Sequence, residues 1–151
     1  MLKISKLTDY GTVVMAYLAR NPEFVHSATD VSAKTNIALP TVSKILKMLA
    51  ADALVTSVRG AKGGYRVSRT PAEISIADII RAMEGPVSLT DCAGQEGGCE
   101  QEPFCSIASN WKRINQTVLD ALDSLNLEDM CAGDCARSVS VEMMPRQEAR
   151  G

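Results

Sequence analysis

The run SATDVSAKTNIALPTVSKILKML, residues 27–49, decides how the rest of the chain is read. It opens at Ser27-Ala28-Thr29-Asp30. A hydroxyl and a carboxylate three residues apart form a capping box, which satisfies free N–H groups at a helix start. The helix that follows is short, carries Val31 and Ala33 and ends near Thr35-Asn36. Pro40 opens the next one, because its missing N–H would have no partner in a first turn. Val42, Ile45, Leu46 and Leu49 then fall at helical spacing on one side, while Thr41, Lys44 and Lys47 stand three apart on another. Two short helices separated by a turn over residues 35–39 make a helix-turn-helix.

Downstream the period changes from helical to alternating. Leu54–Val58 reads as a strand and Tyr65–Ser68 as its partner, with Arg59-Gly60-Ala61-Lys62-Gly63-Gly64 as a glycine-rich hairpin turn between them. A hairpin directly after a helix-turn-helix is a wing. Upstream, a first helix runs from about Ser5 to Arg20 with Leu7, Val14, Tyr17 and Leu18 on its apolar side. Asn21-Pro22 stops it, since proline disfavours helix at the residue before it. After the wing, Ser75-Ile76-Ala77-Asp78 repeats the capping box and starts a helix with Ile76, Ile79, Ile80 and Met83 inward; Gly85-Pro86 ends it. Residues 88–105 form a loop without periodicity. Ile107, Trp111, Ile114, Val118, Ala121 and Leu125 then trace a heptad seam, the signature of a helix that pairs with another helix.

The expected fold is mainly α with a small β-hairpin: a winged helix-turn-helix joined to a long dimerisation helix. It divides into a DNA-binding part (1–70), a connecting helix and cysteine loop (71–105), the dimerisation helix (106–130) and a flexible tail (131–151). Of the 151 residues 46% are hydrophobic and only 4% aromatic, so the core is aliphatic. No stretch approaches the ~18–20 apolar residues that span a bilayer, and the first residues lack the apolar run of a secretory signal. A cytoplasmic protein with no membrane partner is expected.

The net charge of −2 hides an asymmetry: residues 1–70 carry +6 and residues 71–151 carry −8. The basic half is the candidate surface for phosphates. A helix-turn-helix places the start of its second helix in the major groove, which here presents Pro40, Thr41, Ser43 and Lys44, with Lys47 one turn on. Hydroxyls bond several base edges, and lysine favours the acceptors of guanine. The wing adds Arg59 and Lys62 on its tip, with Gly64 and Tyr65 closing it, a tip suited to a narrow minor groove. A solvated basic face on a packing helix is the competing reading of the helix alone; the wing decides for double-stranded DNA.

The five cysteines are Cys92, Cys99, Cys105, Cys131 and Cys135. An odd count without an export signal argues against a disulfide framework and for metal or redox chemistry. Cys92, Cys99 and Cys105 sit in Cys-x6-Cys-x5-Cys within one loop. Zinc knuckles space their pairs at two to four residues, so the wider gaps favour an iron–sulfur cluster, although spacing alone excludes neither zinc nor unligated thiols. Clusters take four protein ligands, so a fourth must come from elsewhere. Cys131 and Cys135 are expected to be free surface thiols, with a fourth ligand or a separate thiol switch as the competing readings, and His26 a surface residue. No catalytic constellation is visible, and no enzyme is expected.

Leu7-Thr8-Asp9-Tyr10, the wing Val58-Arg59-Gly60-Ala61-Lys62-Gly63-Gly64-Tyr65 and the three-cysteine loop together resemble the IscR/NsrR-type regulators of the Rrf2 family, over essentially the whole chain. Within that family the chain looks most like regulators of the SUF iron–sulfur assembly system. The resemblance implies a homodimer paired through the long helix, about residues 106–125, and cluster ligation by Cys92, Cys99 and Cys105. It also implies operator affinity that changes with cluster state. The cluster is expected to be [2Fe-2S], with [4Fe-4S] as the alternative. Two departures matter. The six residues between the first two cysteines are one more than members often have. The histidine that IscR-type proteins carry three residues after the third cysteine is here Ala108. NsrR-type relatives use an N-terminal aspartate from the other subunit, which makes Asp9 the leading fourth ligand. The competing reading of Asp9 is a carboxylate complementing the helix dipole.

Overall fold

The computed structural model describes residues 3–94 and 99–132. Its first three helices are α1 (Lys6–Ala19), α2 (Ala28–Thr35) and α3 (Leu39–Ala51). Ser5 caps α1 by accepting from the Thr8 N–H, and Ser27 caps α2 by accepting from the Asp30 N–H. After α2, Asn36 is left-handed at φ 57°, a conformation asparagine tolerates better than most residues. The reversal is fixed by Ser32, whose hydroxyl donates to the Ile37 carbonyl at 2.7 Å. Val42, Ile45, Leu46 and Leu49 of α3 are completely buried, as their spacing predicts. Each such side chain contributes roughly 1.5–3 kcal/mol relative to exposure. In α2 Val31 is the buried residue and Ala33 is exposed. Two residues on from Val31 is about 200° around a helix, on the opposite side.

The chain leaves α3 through Ala53, at φ 56°. A side chain in that region costs about 1–2 kcal/mol. It is held there by Leu54, which donates to the Leu49 carbonyl at 2.9 Å, and by the Ser68 hydroxyl on the Ala53 carbonyl. Ala53→Gly relieves the strain, partly offset by the greater freedom of glycine in the unfolded chain. The expected gain is about 0.5–1 kcal/mol, read as a higher urea midpoint.

Strands β1 (Val55–Val58) and β2 (Gly64–Val67) pair antiparallel, with Val55 opposite Val67 and Thr56 opposite Arg66. The valine pair is buried and the Thr56–Arg66 pair exposed, so the hairpin has an inner and an outer face. Its root is fastened to the α1–α2 connection by a two-residue bridge. The His26 N–H donates to the Tyr65 carbonyl and the Tyr65 N–H to the His26 carbonyl, both at 2.8 Å. This bridge corrects the surface reading of His26. Drawn under the wing, its ring sits edge-on to Tyr17 at 5.1 Å, and its buried Nε2 has no hydrogen-bond partner among the described residues.

Helix α4 (Ile76–Glu84) carries the expected capping box and buries Ile76, Ile79, Ile80 and Met83. The long helix α5 (Ala108–Asp123) follows the cysteine loop, and a short helix that the sequence pattern does not announce, α6 (Leu127–Cys131), returns to α1. Asn126 and Asp129 form its capping box. The chain around it is stitched to the start of α4: Ile76 donates to the Leu125 carbonyl at 2.9 Å and Leu127 to the Ile74 carbonyl at 2.8 Å. Leu127 and Ile74 are completely buried and join Val14, Met15, Leu18, Leu46 and Leu49 in one core. Cys131 is therefore not a surface thiol. It is half-buried with its sulfur 3.5 Å from the Ala16 carbonyl, and burial pushes its thiol pKa up. Cys135 and the rest of the expected tail beyond Ala132 lie outside the described residues. No helix is long and apolar enough to cross a membrane among the described residues.

Candidate nucleic-acid interface and cysteine loop

The start of α3 brings Pro40, Thr41, Ser43 and Lys44 together, with Lys47 one turn later. Pro40 and both lysines are exposed, whereas Thr41 and Ser43 are half-buried. Arg59 and Lys62 stand exposed on the wing tip, and no ion pair to any of these four cations forms among the described residues. Arg66, on the outer face of the wing opposite Thr56, is a further exposed cation beyond those expected from the sequence. The alternation Tyr65-Arg66-Val67 carried that signal. Gly64 and Tyr65 are placed differently from Arg59 and Lys62: both are half-buried at the wing root, against His26.

The cysteine loop leaves α4 at Gly85-Pro86. Cys92 lies in a 3-10 turn, Asp91–Ala93, packed on α5, and is buried, with the Thr90 hydroxyl 3.2 Å from its sulfur. Cys105 follows a second 3-10 turn, Glu102–Phe104, and its carbonyl accepts from Ala108 at the start of α5, so both ends of the loop meet that helix. Cys99 and Cys105 are half-buried, and all three thiols are free of disulfides. As a donor set, three thiols in one loop suit a soft-ligand site such as an iron–sulfur cluster. Among the described residues no group of three or more His, Cys, Asp or Glu is gathered tightly enough to hold a metal ion. Residues 95–98, between the first two cysteines, lie outside the described set.

Asp9 is exposed in the first turn of α1, and its carboxylate has no hydrogen bond or ion pair among the described residues. It borders a shallow groove of about 430 Å³ with Thr12, Val13, Arg20, Lys34 and Met130. Just before it, the Glu84 carboxylate at the end of α4 accepts from the Ser5 N–H at 2.8 Å and from the buried Thr8 hydroxyl at 2.6 Å. Nothing in the local pattern around either end hints at this tie, which joins residues 76 apart in the chain. It fixes the turn carrying Asp9 to the segment that leads into the cysteine loop. The hydrogen bonds from Thr8 and Ser5 hold the Glu84 carboxyl below its ordinary pKa. A depressed carboxylate stabilises the fold above its unfolded pKa, and that contribution is lost as pH falls through the folded one. Glu84→Gln is therefore expected to lower the urea midpoint near pH 7 and to approach wild type in acid.

Along the long helix, Ile107, Trp111 and Ile114 are 52%, 37% and 46% exposed. The first half of the expected seam thus faces away from the protein's own core, and Ala121 is exposed too. Val118 is half-buried, whereas Leu125, just beyond the end of α5, packs with Leu122 against the core. Ala108 and Asn115 are the buried residues of α5.

Comparison with known proteins bears on this arrangement. Residues 4–133 match the family described as Rrf2, iron-dependent transcriptional regulator. The chain belongs to the Rrf2 family. Among solved Rrf2-like structures, it is 30% identical to T. potens IscR, with 87% of each chain covered and a TM-score of 0.65. It is 32% identical to CymR (YrzC), the global cysteine regulator of B. subtilis, covering 87% of this chain and 98% of that one at a TM-score of 0.66. The oxidized form of Staphylococcus aureus CymR is 29% identical over 86% of this chain and 96% of its own, with a TM-score of 0.62. The mainly helical winged fold with one hairpin is the Rrf2 fold, and the protein is a DNA-binding transcriptional regulator.

Proposed function

We propose that this Rrf2 protein is a homodimeric repressor of iron–sulfur cluster assembly genes, of the SUF type, that senses cluster supply through a labile cluster. The observation that carries the reading is the loop holding Cys92, Cys99 and Cys105, anchored at both ends on the helix that bears the exposed apolar seam. Two copies joined along that seam present two recognition helices and two wings to one operator. The duplex fixes the separation of the half-sites at about 34 Å, so a small shift of α5 registers as a change in affinity.

In this reading Cys92, Cys99 and Cys105 supply thiolates, and the partner's Asp9 supplies the fourth ligand; the exposed, unpaired carboxylate is free to do so. A bound cluster, [2Fe-2S] in preference to [4Fe-4S], supplies a reversible cross-link among the four. Thr41, Ser43, Lys44 and Lys47 read the major groove behind Pro40, and Arg59 and Lys62 enter the minor groove. Gly64 and Tyr65 serve by holding the wing on His26. If each protomer neutralises about four phosphates, the dimer's log–log salt slope is roughly −7. In this reading residues 1–70 bind DNA, 71–105 sense and the helix from 106 pairs as far as the exposed seam runs, because residues 127–131 fold back on the core.

The test is the absorption spectrum of protein purified without oxygen. Visible charge-transfer bands that vanish on Cys92→Ser, Cys99→Ser or Cys105→Ser are expected. A protein colourless even after reconstitution, holding one zinc per chain, overturns cluster sensing. Asp9→Ala with unchanged cluster lifetime removes Asp9 from the ligand set.

A further inference from the structure

The long helix is exposed along most of its length, yet one polar side chain on it is almost wholly buried. Asn115 is 5% exposed. Its Oδ1 accepts from the Leu89 N–H at 3.0 Å, and its Nδ2 donates to the Val87 carbonyl at 3.4 Å. Both bonds go to the backbone of one strap, Val87-Ser88-Leu89, which lies between the end of α4 and Cys92. A buried amide left without partners costs about 1–3 kcal/mol, so asparagine here is matched to that strap and to little else.

What the strap leads into is equally ordered. Ser88 Oγ donates to the Thr90 carbonyl at 2.5 Å, and the Thr90 hydroxyl lies 3.2 Å from the Cys92 sulfur. The turn folds back so closely that a Cβ on Gly94 would stand 2.9 Å from Ser88 Oγ. Cys92 ends up buried on α5, while Cys99 and Cys105 stay half-exposed.

We infer that Asn115 is a positioning residue that presets Cys92 as the anchor ligand, about which the other two thiols close. This rests on the cluster-binding reading above. Because Asn115 belongs to α5, the anchor is fixed to the helix that carries the dimer seam rather than to a free loop. Assembly of the site then starts from one immobile sulfur, and strain at Cys92 is delivered to α5.

The experiment uses full-length Asn115→Leu, branched like asparagine though larger and unable to hold the strap, with the smaller Asn115→Ala beside it. Metal-free, reduced protein is treated with iodoacetamide, and each cysteine is followed by peptide mass spectrometry. Cys92 alkylation is expected to rise at least tenfold in both variants, with Cys99, Cys105 and the half-buried Cys131 within twofold of wild type. In reconstituted protein, bleaching of the visible bands by a chelator should quicken at least fivefold. An unchanged Cys92 rate overturns the inference. So does a rise shared by Cys131 in both variants, which marks general loosening rather than a local tether. The alkylation comparison needs no cluster, so a colourless wild type counts against the cluster reading while the tether is still measured.

Discussion

If two copies pair along α5 as proposed, replacing Ile114 with glutamate is expected to leave the chain folded but monomeric, with operator affinity lower by roughly 10²–10⁴-fold. Ile114, Ile107 and Trp111 expose a large share of their surface, and α5 turns other residues toward the protein's own core. A carboxylate at the centre of that seam has no partner to offset its desolvation when two copies meet. In the monomer it stands in water, so the fold is little affected. The loss of affinity follows from geometry rather than from any DNA contact: one recognition unit binds alone, and the second half-site is no longer held at high effective concentration. Sedimentation velocity checks the oligomeric state, and fluorescence anisotropy on a two-half-site duplex checks the affinity.

The second large effect concerns Gly64. A Cβ there would lie 2.2 Å from the His26 carbonyl oxygen and 2.8 Å from the Ser27 nitrogen. These are backbone atoms at the start of α2, and they cannot rotate aside as a side chain can. Gly64→Ala must therefore push the hairpin off the α1–α2 connection. That costs about 1–3 kcal/mol of overpacking, and the two bridging hydrogen bonds between His26 and Tyr65 are worth about 1 kcal/mol each. A total of about 3–5 kcal/mol corresponds to a fall in Tm of roughly 6–20 °C for a chain of this size. Because the wing is detached as well as the fold weakened, DNA binding should fall more steeply than stability when both are measured below the Tm. By contrast, a Cβ on Gly60 at the wing tip would meet nothing within 4 Å, although the φ of 123° there still favours glycine.

The helix-turn-helix and the wing were legible because each is a local pattern. The hydroxyl–carboxylate pair at Ser27 and Asp30, the proline at residue 40 and the change to alternation after Ala53 all act within a few residues. Their structural counterparts lie within a residue of expectation. What escaped depends on contacts between distant parts of the chain. Helix α6 is only five residues long, too short to show a period, although its Asn126–Asp129 capping box was present in the sequence. Its burial of Leu127 depends on Ile74, more than 50 residues earlier. His26 reads as a surface residue from sequence because nothing nearby announces that Tyr65 will pair with it. The Glu84 tie to Ser5 and Thr8, and the Asn115 clamp, are of the same kind. The heptad spacing marks the exposed Ile107, Trp111 and Ile114, but it does not show that Leu125 turns to the core, and nothing in it marks Asn115, whose value lies in the strap it holds.

If the state of the cysteine loop sets affinity for DNA, cluster-loaded and cluster-free protein must bind one operator differently. Titrating a single duplex, selected with the protein itself, with both forms at fixed salt reads this out without intermediaries. Affinities differing by about 5–150-fold are expected, a coupling of about 1–3 kcal/mol, with the difference disappearing in Cys92→Ser. Equal affinities for loaded and empty wild-type protein would mean that the loop does not govern DNA binding.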